Sequence, residues 1–268
     1  MKTARPVALA VVAHPDDIEF TMAGTMLLLK AAGAEIHFWN LANGCYGTVR
    51  HSRAEITRLR GCEAAASARR AGAAIHKPLF DDLAIFYDRE SLARVSAVMR
   101  EIKPSIVLTH PPSDYMEDHQ NAARLAVTAA FSRGIKNYIT RPARPPWDGP
   151  VAIYHSLPHG RRGPLGEAPA VTHFVRIDRV LPLKRRLLAE HKTQKEWLDV
   201  SQGMDAYLTE MEISGRAVGK MSGRFPVAEA FARHSPIGFS AADWDPLRDL
   251  LGADVRRGSF HTPKPSAA

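Results

Sequence analysis

The first half of the chain alternates between short apolar runs and longer segments with helical periodicity. Residues 7–13 read VALAVVA, an unbroken run of small or apolar residues with several β-branched valines. Such a run is typical of a strand buried on both faces of a sheet. From Ile18 onward apolar residues recur every three or four positions, which predicts a helix over residues 18–32 that ends before Gly33. The turn between this strand and helix reads His-Pro-Asp-Asp.

The same alternation continues to about residue 133. Further strands are predicted at residues 35–42, 73–77 and 105–110, and further helices at residues 52–70, 91–102 and 119–133. Alternating strands and helices favour an α/β fold with a doubly wound, mostly parallel sheet and helices on both faces, joined by right-handed crossovers.

The second half is less regular. A proline-rich segment, residues 141–150, interrupts the alternation, after which strands are predicted at residues 151–156 and 171–177 and a helix at residues 183–207. We find no internal repeat and no composition change that marks a boundary. The sequence therefore predicts one domain over residues 1–255, followed by a flexible tail at residues 256–268.

Composition and charge exclude several classes of protein. Hydrophobic residues make up 45% of the chain and charged residues 24%, as in an ordinary globular protein. No run approaches the roughly 18 apolar residues of a membrane span. The net charge is +8, but the basic residues are scattered and no zinc-finger spacing accompanies them, so we expect a solvated surface and no nucleic-acid partner.

The amino terminus has some features of a secretory signal, with basic residues before a short apolar run. Cleavage after Ala13 would remove the buried strand that precedes His14, so we interpret the run as part of the fold. The two cysteines, Cys45 and Cys62, form no disulfide framework. These features predict a cytoplasmic protein.

Two predicted strands are followed by residues that can bind metal. Because the carboxyl ends of parallel strands share one edge of a sheet, these residues can converge. Two histidines and one aspartate suit zinc and leave a position for water, and a further carboxylate can act as general base. An aspartate pair before a helix is also a common N-cap, so the residues alone predict a divalent-metal site and make a hydrolase plausible. The candidates are His14, Asp16 and Asp17 after the first strand, and Asp114, Asp118 and His119 after the fourth.

The sequence AHPDD at residues 13–17, together with a distal acid-rich loop that ends in Asp118-His119, resembles the LmbE/PIG-L family of zinc-dependent N-acetylglucosamine deacetylases. The resemblance covers roughly residues 7–133. It implies a Rossmann-like fold and hydrolysis of a linear amide, with removal of an N-acetyl or other N-acyl group from an N-acetylglucosaminyl conjugate. It also implies zinc as the metal, although another divalent ion could serve.

The resemblance assigns roles by position. His14, Asp17 and His119 would be the zinc ligands. Asp16 would be the general base that activates the zinc-bound water and then protonates the leaving amine. The expected partner is a small amino-sugar conjugate, and the resemblance suggests a homo-oligomer.

The distal loop departs from the family pattern at Met116. Many members have a histidine there, often assigned to stabilising the oxyanion, and a thioether cannot donate a hydrogen bond. Either another residue replaces it or activity is weaker or altered. Candidates are Tyr115, His110 and His191, and we select His191 because the segment AEHKTQ resembles a late family segment. A polar residue on an exposed helix face is the other interpretation of His191.

Further resemblances concern the substrate. Arg60 and Glu63 match a family Arg-x-x-Glu pattern. This match predicts that Arg60 binds a phosphate or hydroxyl of the substrate. The alternative is an ion pair between Arg60 and Glu63 on the same helix. The acid after the third strand, Asp81 or Asp82, could bind sugar hydroxyls, and we select Asp82. Tyr115 is also predicted to contact substrate.

Three other functions remain to be compared with deacetylation. The first is an amidase of larger amide or thiol-sugar conjugates. The second is a metal- or sugar-binding protein without turnover, which Met116 favours. Nucleotide binding is disfavoured, because the first turn has no Gly-x-Gly-x-x-Gly pattern and its carboxylates would repel a pyrophosphate.

Overall fold

A single mixed sheet organises the chain. The computed structural model describes residues 5–194 and 206–258. The strands are β1 (Val7–Val12), β2 (Glu35–Asn40), β3 (Ala74–His76), β4 (Ile106–Thr109), β5 (Ala152–Ser156), β6 (His173–Arg176), β7 (Ala228–Arg233) and β8 (Val255–Arg257). Their order in the sheet is β3-β2-β1-β4-β5-β7-β6-β8. Neighbours from β3 to β5 pair in parallel, whereas β7 is antiparallel to β5 and β6, and β8 is antiparallel to β6.

Helices cover both faces of the sheet. They are α1 (Asp17–Thr21), α2 (Ala23–Ala31), α3 (Arg53–Ala71), α4 (Arg89–Ile102), α5 (Glu117–Phe131), α6 (Leu181–Leu188), α7 (Ala206–Ser222) and α8 (Pro246–Leu251). Alternate residues of β1 enter different cores: Ala8 and Ala10 pack in a cluster with α2 and α6, and Leu9 and Val11 pack in a cluster with α4 and α5. The predicted α/β class, with a mostly parallel, doubly wound sheet, is confirmed.

The sheet reverses its winding at β1. This strand pairs with β2 on one side and with β4 on the other, and Val11 lies opposite Thr109 in the register. The carboxyl ends of β1 and β4 are therefore adjacent, at the kind of switch point where open α/β sheets bind ligands. The turn after β1 and the loop after β4 meet for this reason.

The predicted first helix is in fact two helices. It breaks at Met22, where φ is −144°, and α2 begins at Ala23. The carboxylate of Glu229 in β7 accepts hydrogen bonds from the backbone N–H groups of Gly24 (2.9 Å) and Thr25 (2.7 Å). A side chain from a distant strand thus satisfies the first amide groups of α2, which local periodicity cannot reveal.

Two boundaries in the second half differ from the prediction. Strand β8 continues to Arg257, so pairing with β6 extends into the segment predicted as a tail. The predicted helix over residues 183–207 instead begins as α6 and ends at Leu188, and residues 195–205 lie outside the described residues.

The cysteines and the apolar character of the helices can be compared with the sequence-based expectations. Cys45 is buried, Cys62 is exposed, and both are free thiols, as the cysteine count predicts. In the part of the chain that the structure describes, no helix combines the length and apolar character that crossing a membrane requires.

Candidate active site

The turn after β1 has an unusual backbone. Asp16 has φ 102° and ψ −23°, in the left-handed region that few residues other than glycine adopt. The side chain of Asp17 accepts a hydrogen bond from the backbone N–H of His14 at 2.7 Å. This tight loop presents Asp16 and Asp17 to the same cavity, although they are consecutive in sequence.

The cavity has a volume of about 510 Å³. Its walls come from the turn after β1, the loops after β2, β3, β4 and β5, and the described start of α7. The central polar side chains are His14, Asp16, Asp17, His110, Asp114 and His119. Its size and mixed polarity suit a small-molecule ligand.

Three side chains converge as a candidate metal-binding set. Ligand atoms of His14, Asp17 and His119 all lie within 4.8 Å of one another. His119 Nε2 is 3.5 Å from Asp17 Oδ1, and His14 Nδ1 is 3.6 Å from Asp17 Oδ2. The structure therefore brings together the three residues that the resemblance implies as zinc ligands.

Two further carboxylates orient the histidines. His14 Nε2 donates to Asp118 Oδ2 at 2.9 Å, which leaves Nδ1 facing Asp17. His119 Nδ1 donates to Asp114 Oδ1 at 3.1 Å, which leaves Nε2 facing Asp17. Carboxylate–histidine pairs of this kind fix the tautomer and ring orientation of metal ligands.

A second set, His110, Asp114 and His119, is also close enough to hold an ion. Ring nitrogens of this set are already engaged in hydrogen bonds: His110 Nε2 accepts the N–H of Ala13 at 3.0 Å, and His119 Nδ1 bonds Asp114. The ring of His110 stacks on that of His119 with centroids 3.9 Å apart. We therefore interpret His110 as packing support for His119.

The charge distribution also fits a cation. Burial acts to lower the pKa of His14, but its hydrogen bonds to Asp118 and Asp17 outweigh burial and raise that pKa to about 10. Burial acts to raise the pKa of Asp17, but the neighbouring His119 and His110 hold it well below its ordinary value. Buried oxygens of Asp16 and Asp114 have no hydrogen-bond partner in the described part of the chain. The cluster thus stabilises positive charge, and its donors are those that zinc prefers.

Asp16 lies beside this set without belonging to it. Burial raises the pKa of Asp16 to about 6, and the charge of Arg60 opposes that rise. Arg60 Nη2 lies 3.7 Å from Asp16 Oδ2 and donates to the carbonyl oxygen of Pro15 at 2.6 Å. On the other side, burial and the charge of Asp16 keep the pKa of Tyr207 well above its ordinary value, so its phenol stays neutral.

The predicted substrate residues have different surroundings. Arg60 is 3% exposed, faces the turn as just described, and forms no ion pair with Glu63, whose carboxylate accepts from Thr193. Asp82 lines the cavity, but its two carboxylate oxygens accept backbone N–H groups in the loop after β2 at 2.7 and 3.0 Å. Tyr115 is 57% exposed and sets its ring edge-on to His119. Among the three, Tyr115 is best placed to touch a ligand.

His191 is not brought to the cavity. Its side chain is fully buried, with Nε2 at 3.3 Å from Glu19 Oε1, and Glu19 also accepts a hydrogen bond from Ser67. A buried carboxylate needs such a partner, and the charge of Glu19 outweighs burial and raises the pKa of His191. Our selection of His191 as the substrate-facing donor is corrected by this placement, and so is its alternative interpretation as an exposed helix residue.

Several cavity residues escaped the sequence analysis. His159 follows β5, and Tyr207 and Glu210 belong to α7. The signal for His159 was its position just after a strand that pairs in parallel with β4, since that strand ends at the same edge of the sheet. No comparable signal existed for Tyr207 or Glu210.

Residues 9–130 match the family model described as PIG-L, GlcNAc-PI de-N-acetylase. The chain contains a PIG-L/LmbE family domain. This domain ends one residue before the end of α5 and contains every residue of the converging set. Among curated proteins, it is similar to a 4-oxalmesaconate hydratase of Pseudomonas putida, with 29% identity over 146 residues; the match spans 52% of this chain and 57% of that protein.

Solved structures resemble the chain beyond the PIG-L/LmbE domain. N,N'-diacetylchitobiose deacetylase from Pyrococcus horikoshii superposes with a TM-score of 0.73 at 20% identity, covering 91% of this chain and 89% of that one. A 4-carboxy-2-hydroxymuconate hydratase from Pseudomonas putida has a TM-score of 0.68 at 25% identity, covering 85% and 95%. The fold is thus shared by enzymes named as deacetylases and as hydratases.

Proposed function

We propose that this chain is a metal-dependent deacetylase, with zinc as the metal, that removes an N-acetyl group from an N-acetylglucosaminyl conjugate. The observation that carries the proposal is the convergence of His14, Asp17 and His119 beside the unligated carboxylate of Asp16, inside a cavity of about 510 Å³. The family match and the deacetylase neighbour support the same reaction class.

The converging set has the chemistry of a catalytic zinc site. His14, Asp17 and His119 would hold the ion, and three protein ligands leave a position open. When bound, the ion would supply a Lewis acid that polarises the amide carbonyl and lowers the pKa of a bound water. Asp118 and Asp114 keep the two histidines in the orientation that this set requires.

Asp16 is the proposed general base. Its carboxylate takes one proton from the attacking water as the water oxygen adds to the carbonyl carbon. When the carbon–nitrogen bond breaks, Asp16 returns that proton to the departing nitrogen, so that one amide and one water give one carboxylic acid and one amine. Arg60, 3.7 Å away, supports Asp16 in its ionised form.

Hydration of an unsaturated acid is a second candidate, because a hydratase is among the relatives. The charges in the cavity favour the amide. Carboxylates of Asp16, Asp17 and Glu210 face it, and Arg60, the one guanidinium among its described lining residues, already bonds the turn. A carboxylate substrate would meet repulsion there, whereas an N-acetyl sugar is neutral and its amine product is cationic.

A substrate panel with the zinc-loaded protein tests the proposal. It contains N-acetylglucosaminyl conjugates, a larger amide, a thiol-sugar amide and an unsaturated dicarboxylic acid. Release of acetate from the first group is expected. Turnover confined to the larger amides would favour the amidase, hydration without amide cleavage would favour the hydratase, and tight sugar binding without turnover would favour a binding protein.

The Asp16→Asn variant tests whether Asp16 is the general base. We expect full metal content with activity lower by about 10²–10⁴-fold, the usual contribution of general base catalysis. Asp178→Asn is the matched control, since Asp178 pairs with Arg176 at the surface and lies outside the cavity. An Asp16→Asn variant that keeps its metal and the parent rate would refute the assignment.

A further inference from the structure

We propose that the imidazole of His159 is the hydrogen-bond donor to the substrate's acyl oxygen, and so replaces the donor that is missing at Met116. The inference rests on the proposed amide hydrolysis. It assigns a role to a residue on the loop after β5, a different element from the one that carries Met116.

Met116 provides no hydrogen-bond donor at its position in the site. Its side chain lines the cavity just before α5, and a thioether cannot donate a hydrogen bond. In amide hydrolysis the carbonyl oxygen gains negative charge as the carbon becomes tetrahedral, so a donor aimed at that oxygen lowers the barrier.

The other cavity histidines are committed. His14 bonds Asp118 with one ring nitrogen and turns the other toward Asp17, and His119 does the same with Asp114. His110 is 2% exposed and lies stacked against His119, with Nε2 accepting the N–H of Ala13. His14 and His119 therefore have no ring N–H left for a substrate oxygen once the metal site is formed, and His110 is too deeply buried to offer its own.

Two further donors are also engaged. Arg60 donates to the carbonyl of Pro15 and is almost fully buried. Tyr207 lies next to Asp16, so its hydroxyl faces the base. Tyr115, exposed beside His119, is the rival to His159 that lies nearest the converging set.

His159 combines access with a defined position. It begins a short 3-10 turn, His159–Arg161, in which Gly160 (φ 74°) and Arg161 (φ 59°) adopt left-handed backbone conformations. The ring packs against Phe20 with centroids 4.9 Å apart and lies 6.4 Å from the ring of Tyr115. This tight turn places the ring in the lining of the cavity, to which Met116 also belongs.

The ring of His159 is available for hydrogen bonding. Among the described residues neither of its nitrogens is found in a hydrogen bond. Partial desolvation lowers its pKa, so the imidazole is neutral near pH 7 and carries one N–H. A neutral imidazole N–H can donate a hydrogen bond to an oxyanion. Unlike a charged imidazolium, it would not form an ion pair with the carboxylates of Asp16 and Asp17 in the same cavity.

The test compares two substitutions at this position in the zinc-loaded, full-length protein. His159→Phe keeps the packing on Phe20 but removes the donor, and we expect kcat to fall by about 10²–10³-fold with KM changed by less than about threefold. His159→Gln retains an N–H donor and should keep activity within about tenfold to thirtyfold of the parent. Zinc content, measured separately, should be unchanged in both. His51→Phe is the matched control, because His51 pairs with Glu55 outside the cavity.

Binding of a tetrahedral phosphonamidate analogue of N-acetylglucosamine, followed by calorimetry, supplies a readout besides turnover. His159→Phe should weaken this binding at least tenfold, while His51→Phe should not.

If His159→Phe keeps the parent kcat and binds the analogue as tightly as the parent does, the inference is wrong and the proposed function stands. A large loss in Tyr115→Phe alongside a parent-like His159→Phe would assign the donor to Tyr115. A parent protein that neither cleaves any amide nor binds the analogue would refute the function, and the inference with it.

Discussion

Asp118 and His14 are 104 positions apart in sequence and are joined by a 2.9 Å hydrogen bond. The same Asp118 oxygen accepts the backbone N–H of Leu83 at 2.7 Å. Burial acts to raise the pKa of Asp118, but the bond from His14 outweighs it and keeps that pKa low. Asp118 is therefore a charged group in the first turn of α5 that holds the proposed metal ligand His14 in place.

The first prediction concerns Asp118→Asn. Loss of the carboxylate removes the acceptor that fixes the tautomer of His14, so zinc affinity should fall by about 10–100-fold. Competition with a chelator measures this affinity directly. Glu117→Gln is the control, since Glu117 is exposed on the first turn of α5. Equal zinc affinity in parent and Asp118→Asn would contradict the positioning role.

The second prediction concerns the buried ion pair between Lys184 and Glu229. Both side chains are 3% exposed and their charged atoms are 2.5 Å apart. Lys184→Met leaves the Glu229 carboxylate buried without a counter-charge, so the free energy of unfolding should fall by about 3–5 kcal/mol. Urea unfolding measures the loss. Arg176→Met breaks an exposed pair with Asp178 and should cost no more than about 1 kcal/mol; equal losses in the two variants would be inconsistent with this reasoning.

The third prediction concerns stability in acid. Burial lowers the pKa of His155 to about 4 in the folded state, whereas an unfolded histidine titrates near 6.5. The unfolded state therefore binds more protons between these values, and stability should be complete above about pH 6.5 and decline as the pH falls toward 4, by about 3 kcal/mol from this residue.

Urea unfolding of the metal-free protein across that pH range measures the decline. His155→Gln can still donate to the carbonyl oxygen of His110, as His155 does at 2.7 Å, but it does not titrate. The variant should lose less stability on acidification than the parent does. Parallel stability–pH curves for the two proteins would show that His155 is not responsible.

The fourth prediction concerns a double variant that changes both Met116 and His159. Met116→His, introduced into the His159→Phe variant, puts an imidazole back at the cavity wall just before α5. We expect kcat to recover by at least about tenfold, because one positioned donor contributes about 10²–10³-fold. Steady-state kinetics with the best substrate of the panel measures the recovery. A double variant as slow as His159→Phe alone would mean that the two positions do not serve the same oxygen.

The sequence predicted the fold well because its signals were local. The apolar run before His14 and the helical periodicity after it are properties of neighbouring residues, and strand–helix alternation is typical of a parallel sheet. The same logic placed His14, Asp17 and His119 at one edge, where the structure also has them. The break at Met22 was missed, because the group that satisfies the first amides of α2 is the carboxylate of the distant Glu229.

Sequence alone thus determined the α/β architecture and the kinds of side chain at two strand ends, since both depend on side-chain chemistry and short-range spacing. Tertiary structure decided the surroundings of each carboxylate: Asp82 accepts backbone N–H groups, Asp118 holds His14, and one buried oxygen of Asp16 has no hydrogen-bond partner among the described residues. It also separated His191, buried against Glu19, from His159, which reaches the cavity. The physical reason is that a polar group's role depends on which partners surround it and on whether water can reach it. Those partners come from segments far apart in sequence, and only the folded chain brings them together.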